Sequence, residues 1–273
     1  MAKVRLDTLL TSRGLAESRQ KAQALILAGQ VLVDDELIDK PGKRVQGDAQ
    51  VAIREGLKYV SRGGLKLEHA LDRFGVDVSD KVVADVGAST GGFTDCLLQR
   101  GARRVYAIDV GYGQLAWRLR QDPRVVVLER TNIRHLEGLP EPMDLATIDV
   151  SFISLELVWP VVIELLSPRG EIMALVKPQF EAGREEVQKG GVVRDPQVHR
   201  QVLEEVVRGP LGEGLRLRGL TASPLKGPAG NVEFFAYLTK DARFDNVDLE
   251  EAIEVSLAEA QSIQRQTVSD PEQ

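Results

Sequence analysis

The sequence predicts an α/β protein in which a mostly parallel sheet is wrapped by helices, preceded by a small α+β module. Three observations carry this. Strand-like runs alternate with helix-like stretches from about residue 63 to 240 ("KVVADV", "RRVYAID", "RVVVLE", "MDLATIDV", "GEIMALVK"), the pattern of a parallel sheet with crossover helices. A glycine-rich turn, "DVGASTGGFTDCLL" (85–98), follows the first of those runs, where such sheets bind ligands. The chain of 273 residues is 43% hydrophobic and 28% charged, enough to bury a core and too apolar for a disordered chain.

In order along the chain, "RLDTLLTSRGLA" reads as a short helix ending at Gly14. Ser18 can cap a second helix, "SRQKAQALILAGQ", stopped by Gly29. "QVLVDDELI" and "AQVAIRE" read as short strands joined through the turn "DKPGKRV". "REGLKYVSRGG" (54–64) is the expected hinge to the larger domain. Near the C-terminus, "DLEEAIEVSLAEAQSIQ" places Leu249, Ile253 and Leu257 on one helical face. The expected division is 1–60, 61–240 and an acidic helix and tail, 241–273.

The net charge of −6 is unevenly spread. Residues 1–62 carry eleven Lys/Arg against eight Asp/Glu, whereas 241–273 carry two against nine. A basic excess in the first module fits phosphate contact through Arg5, Arg19, Lys21, Lys40, Lys43 and Arg44, although a solvated charged surface would look the same. Cys96 stands alone and the three histidines are scattered, so neither a disulfide nor a metal cluster is expected and a reducing cytoplasm fits. "LELVWPVVIELL" is short and carries Glu156 and Glu164, so no membrane span is expected.

In the glycine turn, Gly87, Gly91 and Gly92 let the backbone approach a ligand, and Asp109, closing the next strand, can accept hydrogen bonds from a ribose diol. The spacing G-A-S-T-G-G departs from the G-x-G-x-x-G of a nicotinamide dehydrogenase. A turn and a strand-end aspartate that merely cap structure would read alike.

The stretch "RLDTLLTSRGLAESRQKAQALILAGQVLV" resembles an S4 RNA-binding domain, and the remainder resembles an FtsJ-like methyltransferase. Together with "SRGGLKL", "DVSFISL", "LVKPQFEAGREEV", "GGVVRDP" and "SPLKGPAGNVEFF", the order resembles the TlyA family, also labelled hemolysin A, of ribosomal RNA 2′-O-methyltransferases. The resemblance implies a Rossmann-like class I methyltransferase sheet, S-adenosyl-L-methionine as cofactor, and a cytidine ribose in the rRNA of ribosomal subunits as substrate. It implies cofactor contacts from Asp85, Gly87, Ala88, Ser89, Gly91, Gly92, Phe93, Asp109 and Asp149, the glycines making room for the cofactor. The C-terminal helix resembles the longer branch of the family, associated with both ribosomal subunits.

A ribose 2′-hydroxyl is a poor nucleophile, so a general base is needed; no metal is. The family resemblance places a Lys–Asp–Lys–Glu set on Lys66, Asp149, Lys177 and Glu233. Lys177, at the end of a buried strand, is the candidate base, because a desolvated lysine near a second ammonium is driven toward its neutral form. Asp149 and Glu233 would orient the lysines and the hydroxyl, and Lys66 would position the ribose while disfavouring the charge on Lys177. Singly each could be an ordinary surface or cap residue; at neighbouring strand ends they converge on one crevice. The segment 178–195 reads as a polar loop, either a lid or a plain surface excursion. A non-catalytic RNA-binding adaptor and a membrane-acting hemolysin are the alternative functions, and the latter would need membrane-active segments that the sequence does not offer.

Overall fold

The computed structural model describes residues 3–27, 30–34, 36–38, 40–53, 58–227 and 229–269. Gly29 and part of the expected hinge, 54–57, lie outside the described residues. The chain divides into two compact units, Met1–Lys58 and Tyr59–Gln273.

In the first unit, β1 (Lys3–Arg5) runs into α1 (Leu6–Ser12), and Gly14 follows in a left-handed conformation at φ +70°. Ser18 Oγ accepts from Lys21 N at 3.2 Å, the expected cap of α2 (Arg19–Leu27). The rest is β2 (Val31–Val33), β3 (Glu36–Leu37), β4 (Arg44–Gln46) and β5 (Val51–Ile53). β1 pairs with β4, and β2 is central in a β3–β2–β5 sheet. Leu6, Leu10, Ala22, Ile26 and Val31 form its solvent-free core.

The second unit is built on a seven-stranded sheet. Its elements are α3 (Gly63–Phe74), β6 (Val82–Val86), α4 (Gly92–Gln99), β7 (Arg104–Ile108), α5 (Trp117–Arg120), β8 (Val125–Leu128), β9 (Met143–Ile148), α6 (Trp159–Leu165), β10 (Leu166–Val176), α7 (Pro178–Glu181), α8 (Pro196–Gly212), β11 (Arg216–Ala222), β12 (Phe234–Thr239) and α9 (Leu249–Ser269). The strand order is β11–β12–β10–β9–β6–β7–β8. Strands β6 to β10 are parallel, and β12 runs antiparallel to β10 and β11.

β6 is buried at all five positions, which is why it reads as an unbroken apolar run rather than an alternation. Val82, Ala84 and Val86 point to the core beneath α6, α8 and α9, and Val83 points to the core beneath α3 and α4. Ile253 and Leu257 are buried there, so the acidic C-terminal segment docks its apolar stripe on the sheet within this unit. From β6 the chain runs outward through β7 to β8 and then crosses back to β9 on the other side of β6. The crevice outside the carboxyl ends of β6 and β9 is therefore the switch point of the sheet.

Candidate active site

A cleft of about 500 Å³ opens at that switch point, within the usual size of a small-molecule site. Its walls come from the turn after β6 (Gly87, Ser89), the end of β7 (Asp109, Val110), the segment Thr131–Arg134 and the segment Asp149–Ile153. Gly87 has φ +87°, and a Cβ there would lie 2.5 Å from the Asp149 carbonyl oxygen. At Gly91 a Cβ would strike the Leu119 side chain, and at Gly92 it would strike Ser61 and lie 2.9 Å from Gly64 N. Protein atoms approach all three glycines, which lets the turn pack beneath the crevice.

Of the nine expected cofactor contacts, Gly87, Ser89, Asp109 and Asp149 line the cleft, while Asp85, Ala88, Gly91, Gly92 and Phe93 do not. Phe93 is a core residue stacked on Phe235, ring centres 6.1 Å apart. Asp109 accepts from Ser89 N at 2.7 Å and from Gly111 N at 2.6 Å, tying two loops together. Each of its oxygens keeps a second lone pair for a ligand. Asp85 lies fully buried, accepting from Thr94 Oγ at 2.6 Å and Thr147 Oγ at 3.2 Å. Burial pushes its carboxyl up to about 7, against the hydroxyl of Thr94, and the negative charge of Asp149 adds to the rise.

The Lys–Asp–Lys–Glu residues come together because their strands are neighbours. Asp149 follows β9, Lys177 follows β10, and Glu233 precedes β12, whose reversed direction brings its start to the same end of the sheet. Val176 pairs with Phe234, so Lys177 and Glu233 are the next positions along adjoining strands. Lys66 reaches in from the first turns of α3 and donates to Glu233 Oε2 at 2.6 Å, both side chains nearly sealed from solvent. Lys177 Nζ stands 2.6 Å from Asp149 Oδ1, an ionic contact without hydrogen-bond alignment, and donates to Ser151 Oγ at 3.0 Å. Each lysine therefore stands against a carboxylate of the set, Lys66 against Glu233 and Lys177 against Asp149. A buried ammonium needs a partner of opposite charge, and the strand ends supply one apiece.

Three features were not foreseen. Thr131–Arg134 walls the cleft from the end of β8, a neighbour of β7 only once the sheet is ordered. Phe152 is 90% exposed on the cleft rim, held at φ +63°, with its ring 4.9 Å from that of Phe180. The segment 178–195 is fastened rather than loose. Asn231 accepts from Val193 N at 2.9 Å and donates to Gly191 O at 2.8 Å, and buried His199 places Nε2 3.1 Å from Val193 O. Burial lowers the pKa of that imidazole, which suits a neutral ring in this contact.

In the first unit, Arg5, Arg19, Lys21, Lys40, Lys43 and Arg44 are all exposed. Arg5 and Arg19 converge on the carboxylate of Asp7, which has no solvent exposure, and the Arg5 hydrogen bonds hold it well below the usual carboxylate range. Arg13 instead donates to the carbonyls of Ala49 and Gly47.

The FtsJ-like methyltransferase family model matches residues 59–240 and the S4 domain model residues 4–51. The chain is 46% identical over 263 residues to the 16S/23S rRNA (cytidine-2′-O)-methyltransferase TlyA of Mycobacterium tuberculosis, covering 94% of this chain and 98% of that protein. The chain belongs to the TlyA family. Another relative, the candidate rRNA methyltransferase YqxC of Bacillus subtilis, is 55% identical over 86% of this chain and 85% of its own. A solved structure described as a candidate hemolysin from Streptococcus thermophilus superposes with a TM-score of 0.76 at 43% identity, over 98% of this chain and 99% of that one. The TlyA-family signature thus spans both units, and its FtsJ-like part contains the whole Lys–Asp–Lys–Glu set.

Proposed function

We propose that this TlyA-family protein methylates the 2′-hydroxyl of a cytidine ribose in ribosomal RNA, with S-adenosyl-L-methionine as methyl donor. The observation that carries the reading is the pair of lysine–carboxylate contacts at the carboxyl end of the sheet, beside a cleft of cofactor size. When bound, the cofactor supplies an electrophilic methyl group. The cleft fits it: Asp109 keeps acceptor capacity for a ribose diol, and Gly87 and Ser89 line the turn beside it.

The chain's own residues then have distinct tasks. With the methyl donor bound, Lys177 would accept the 2′-hydroxyl proton on Nζ. Asp149 and Ser151 hold that nitrogen in place. Lys66, fixed by Glu233, positions the ribose. Phe152 offers an aromatic face at the rim on which a nucleobase can stack, as proteins do with unpaired RNA bases. The S4 unit contributes sequence-independent capture of phosphates through Arg5, Arg19, Lys21, Lys40, Lys43 and Arg44, and action on ribosomal RNA fits a cytoplasmic site. The hemolysin name borne by one similar structure finds no counterpart in a membrane helix: among the described residues no helix is long and apolar enough to cross a bilayer.

Incubation of the purified protein with methyl-labelled S-adenosyl-L-methionine and separated small and large ribosomal subunits tests the proposal. Label on a cytidine 2′-oxygen is expected. RNA binding without label in either subunit would make the protein an adaptor, and binding of NADH in place of S-adenosyl-L-methionine would overturn the cofactor.

A further inference from the structure

Two segments carry the Asp149–Lys177 pair, and they are joined a second time one turn further along. Lys177 caps α7, and four residues on, Glu181 turns back toward the loop after β9. Its Oε2 accepts from Ser154 Oγ at 2.7 Å and its Oε1 from Leu155 N at 3.0 Å. Ser154 Oγ in turn accepts from Glu156 N at 3.1 Å. The contacts form two rungs between the same strands of chain: Lys177 to Asp149 and Ser151, then Glu181 to Ser154 and Leu155.

The second rung spans a region that local forces would loosen. Phe152, between the rungs on one side, holds a left-handed backbone that a bulky residue resists. Gln179, between them on the other, has its Oε1 buried without a hydrogen-bond partner, so its turn would gain by opening to water. Such costs persist only where the surroundings over-determine the conformation. The two hydrogen bonds of Glu181 supply that constraint.

We infer that Glu181 is a positioning residue: it tethers the turn bearing Lys177 to the loop bearing Asp149 and Phe152, and so keeps Lys177 Nζ on its partners. The inference rests on the methyl-transfer reading for its kinetic consequence and on geometry alone for the tether. Its position is outside the cleft lining.

Full-length protein carrying Glu181→Ala or Glu181→Gln is measured in single-turnover methyl transfer, with S-adenosyl-L-methionine and RNA affinities determined separately. Glu181→Ala should slow transfer about 10- to 100-fold, the scale of a small misplacement of reacting groups, while both affinities stay within about threefold of the parent. Glu181→Gln, whose amide oxygen can still accept from Leu155 N and whose amide N–H can donate to Ser154, should recover most of the rate. If Glu181 acts through Lys177, Lys177→Arg combined with Glu181→Ala should be no slower than Lys177→Arg alone; additive losses would show a merely structural role and overturn the inference. If Glu181→Ala fails to fold, Ser154→Ala cuts one hydrogen bond and takes its place in the same cycle. Hydrogen exchange at the Leu155 amide reads the tether without catalysis. Should the parent transfer no methyl, faster exchange in Glu181→Ala would keep the tether and reject the reaction, and unchanged exchange would reject the tether.

Discussion

Each unit sinks an aspartate fully out of solvent, and the two are used in opposite ways. Asp7 of the first unit is surrounded by permanent cations: Arg5 and Arg19 donate to it, as does Gln23, and its carboxyl stays far into the ionised range. Asp85 of the second unit has only the hydroxyls of Thr94 and Thr147, with the charge of Asp149 nearby, and titrates at about 7. The cations beside the carboxylates differ as well: guanidinium groups, which do not release protons, hold Asp7, whereas a lysine, which can, meets Asp149. A group meant to move a proton must be able to lose one.

The largest effect that could break this contrast is Lys177→Arg. A guanidinium keeps the charge and cannot accept the proton, so single-turnover methyl transfer should fall about 100- to 10,000-fold with cofactor and RNA binding retained. A rate within a few-fold of the parent would mean that the second unit, like the first, uses its cations only to hold.

Asp85→Asn comes next. With an unfolded carboxyl near 3.9 and a folded one near 7, the folded state holds a proton that the unfolded chain has released throughout that window, so the parent loses stability as pH rises from about 4 to 7 and the loss is complete above it. The swing implied is on the order of 4 kcal/mol. The asparagine variant should lack it, and denaturant unfolding across that pH range would show the parent's slope absent from the variant. Parallel curves would place the Asp85 carboxyl in the ordinary range.

Asp7→Asn should act with the opposite pH sense. Its carboxyl is depressed, so its stabilisation is full above the unfolded pKa near 4 and is lost progressively as pH falls from there through the much lower folded pKa. Only half-exposed arginine stems seal Asp7, so water screens the pairs and the expected loss at neutral pH is discounted to about 1–2 kcal/mol. The gap in thermal unfolding between parent and variant should narrow steadily as pH falls below about 4 and close only once the folded Asp7 carboxyl itself takes up a proton. The smallest effect is that of Arg5→Lys, the reverse of the Lys177 exchange. Charge is retained, so the salt slope of RNA binding should not change, and a lowered slope would show that the fork geometry, not the charge, engages phosphate.

The five parallel strands were legible as apolar runs; β6, β7, β9 and β10 are largely buried on both faces, which removes the alternation, while the edge strand β8 is half-buried along its length. β11 was not foreseen, because "RLRGLTA" interleaves arginines and a glycine with its apolar residues, as befits a sheet edge, whereas β12 was expected only as a strand end bearing Glu233. The identities of the four charged residues came through family resemblance, yet their pairing did not. Which carboxylate meets which lysine depends on strand order and on how far α3 reaches, neither of which is written locally. The close approach of Ser61, Leu119 and the Asp149 carbonyl to the three glycines depends on how the sheet and α3 pack, which the local sequence does not carry. Ser154 and Glu181 lie 27 positions apart in the chain, and no periodicity relates them.

The reversed last-but-one strand of the sheet order, β12, also has a consequence for biosynthesis. Glu233 stands at its start, so a ribosome emits Lys66 some 167 positions before the carboxylate that neutralises it. Until β12 is added, β10 is the open margin of the sheet, and the ammonium of Lys66 has no buried seat to occupy. The Lys66–Glu233 contact, and with it the Lys–Asp–Lys–Glu set, can be completed only after residue 233 has left the ribosome.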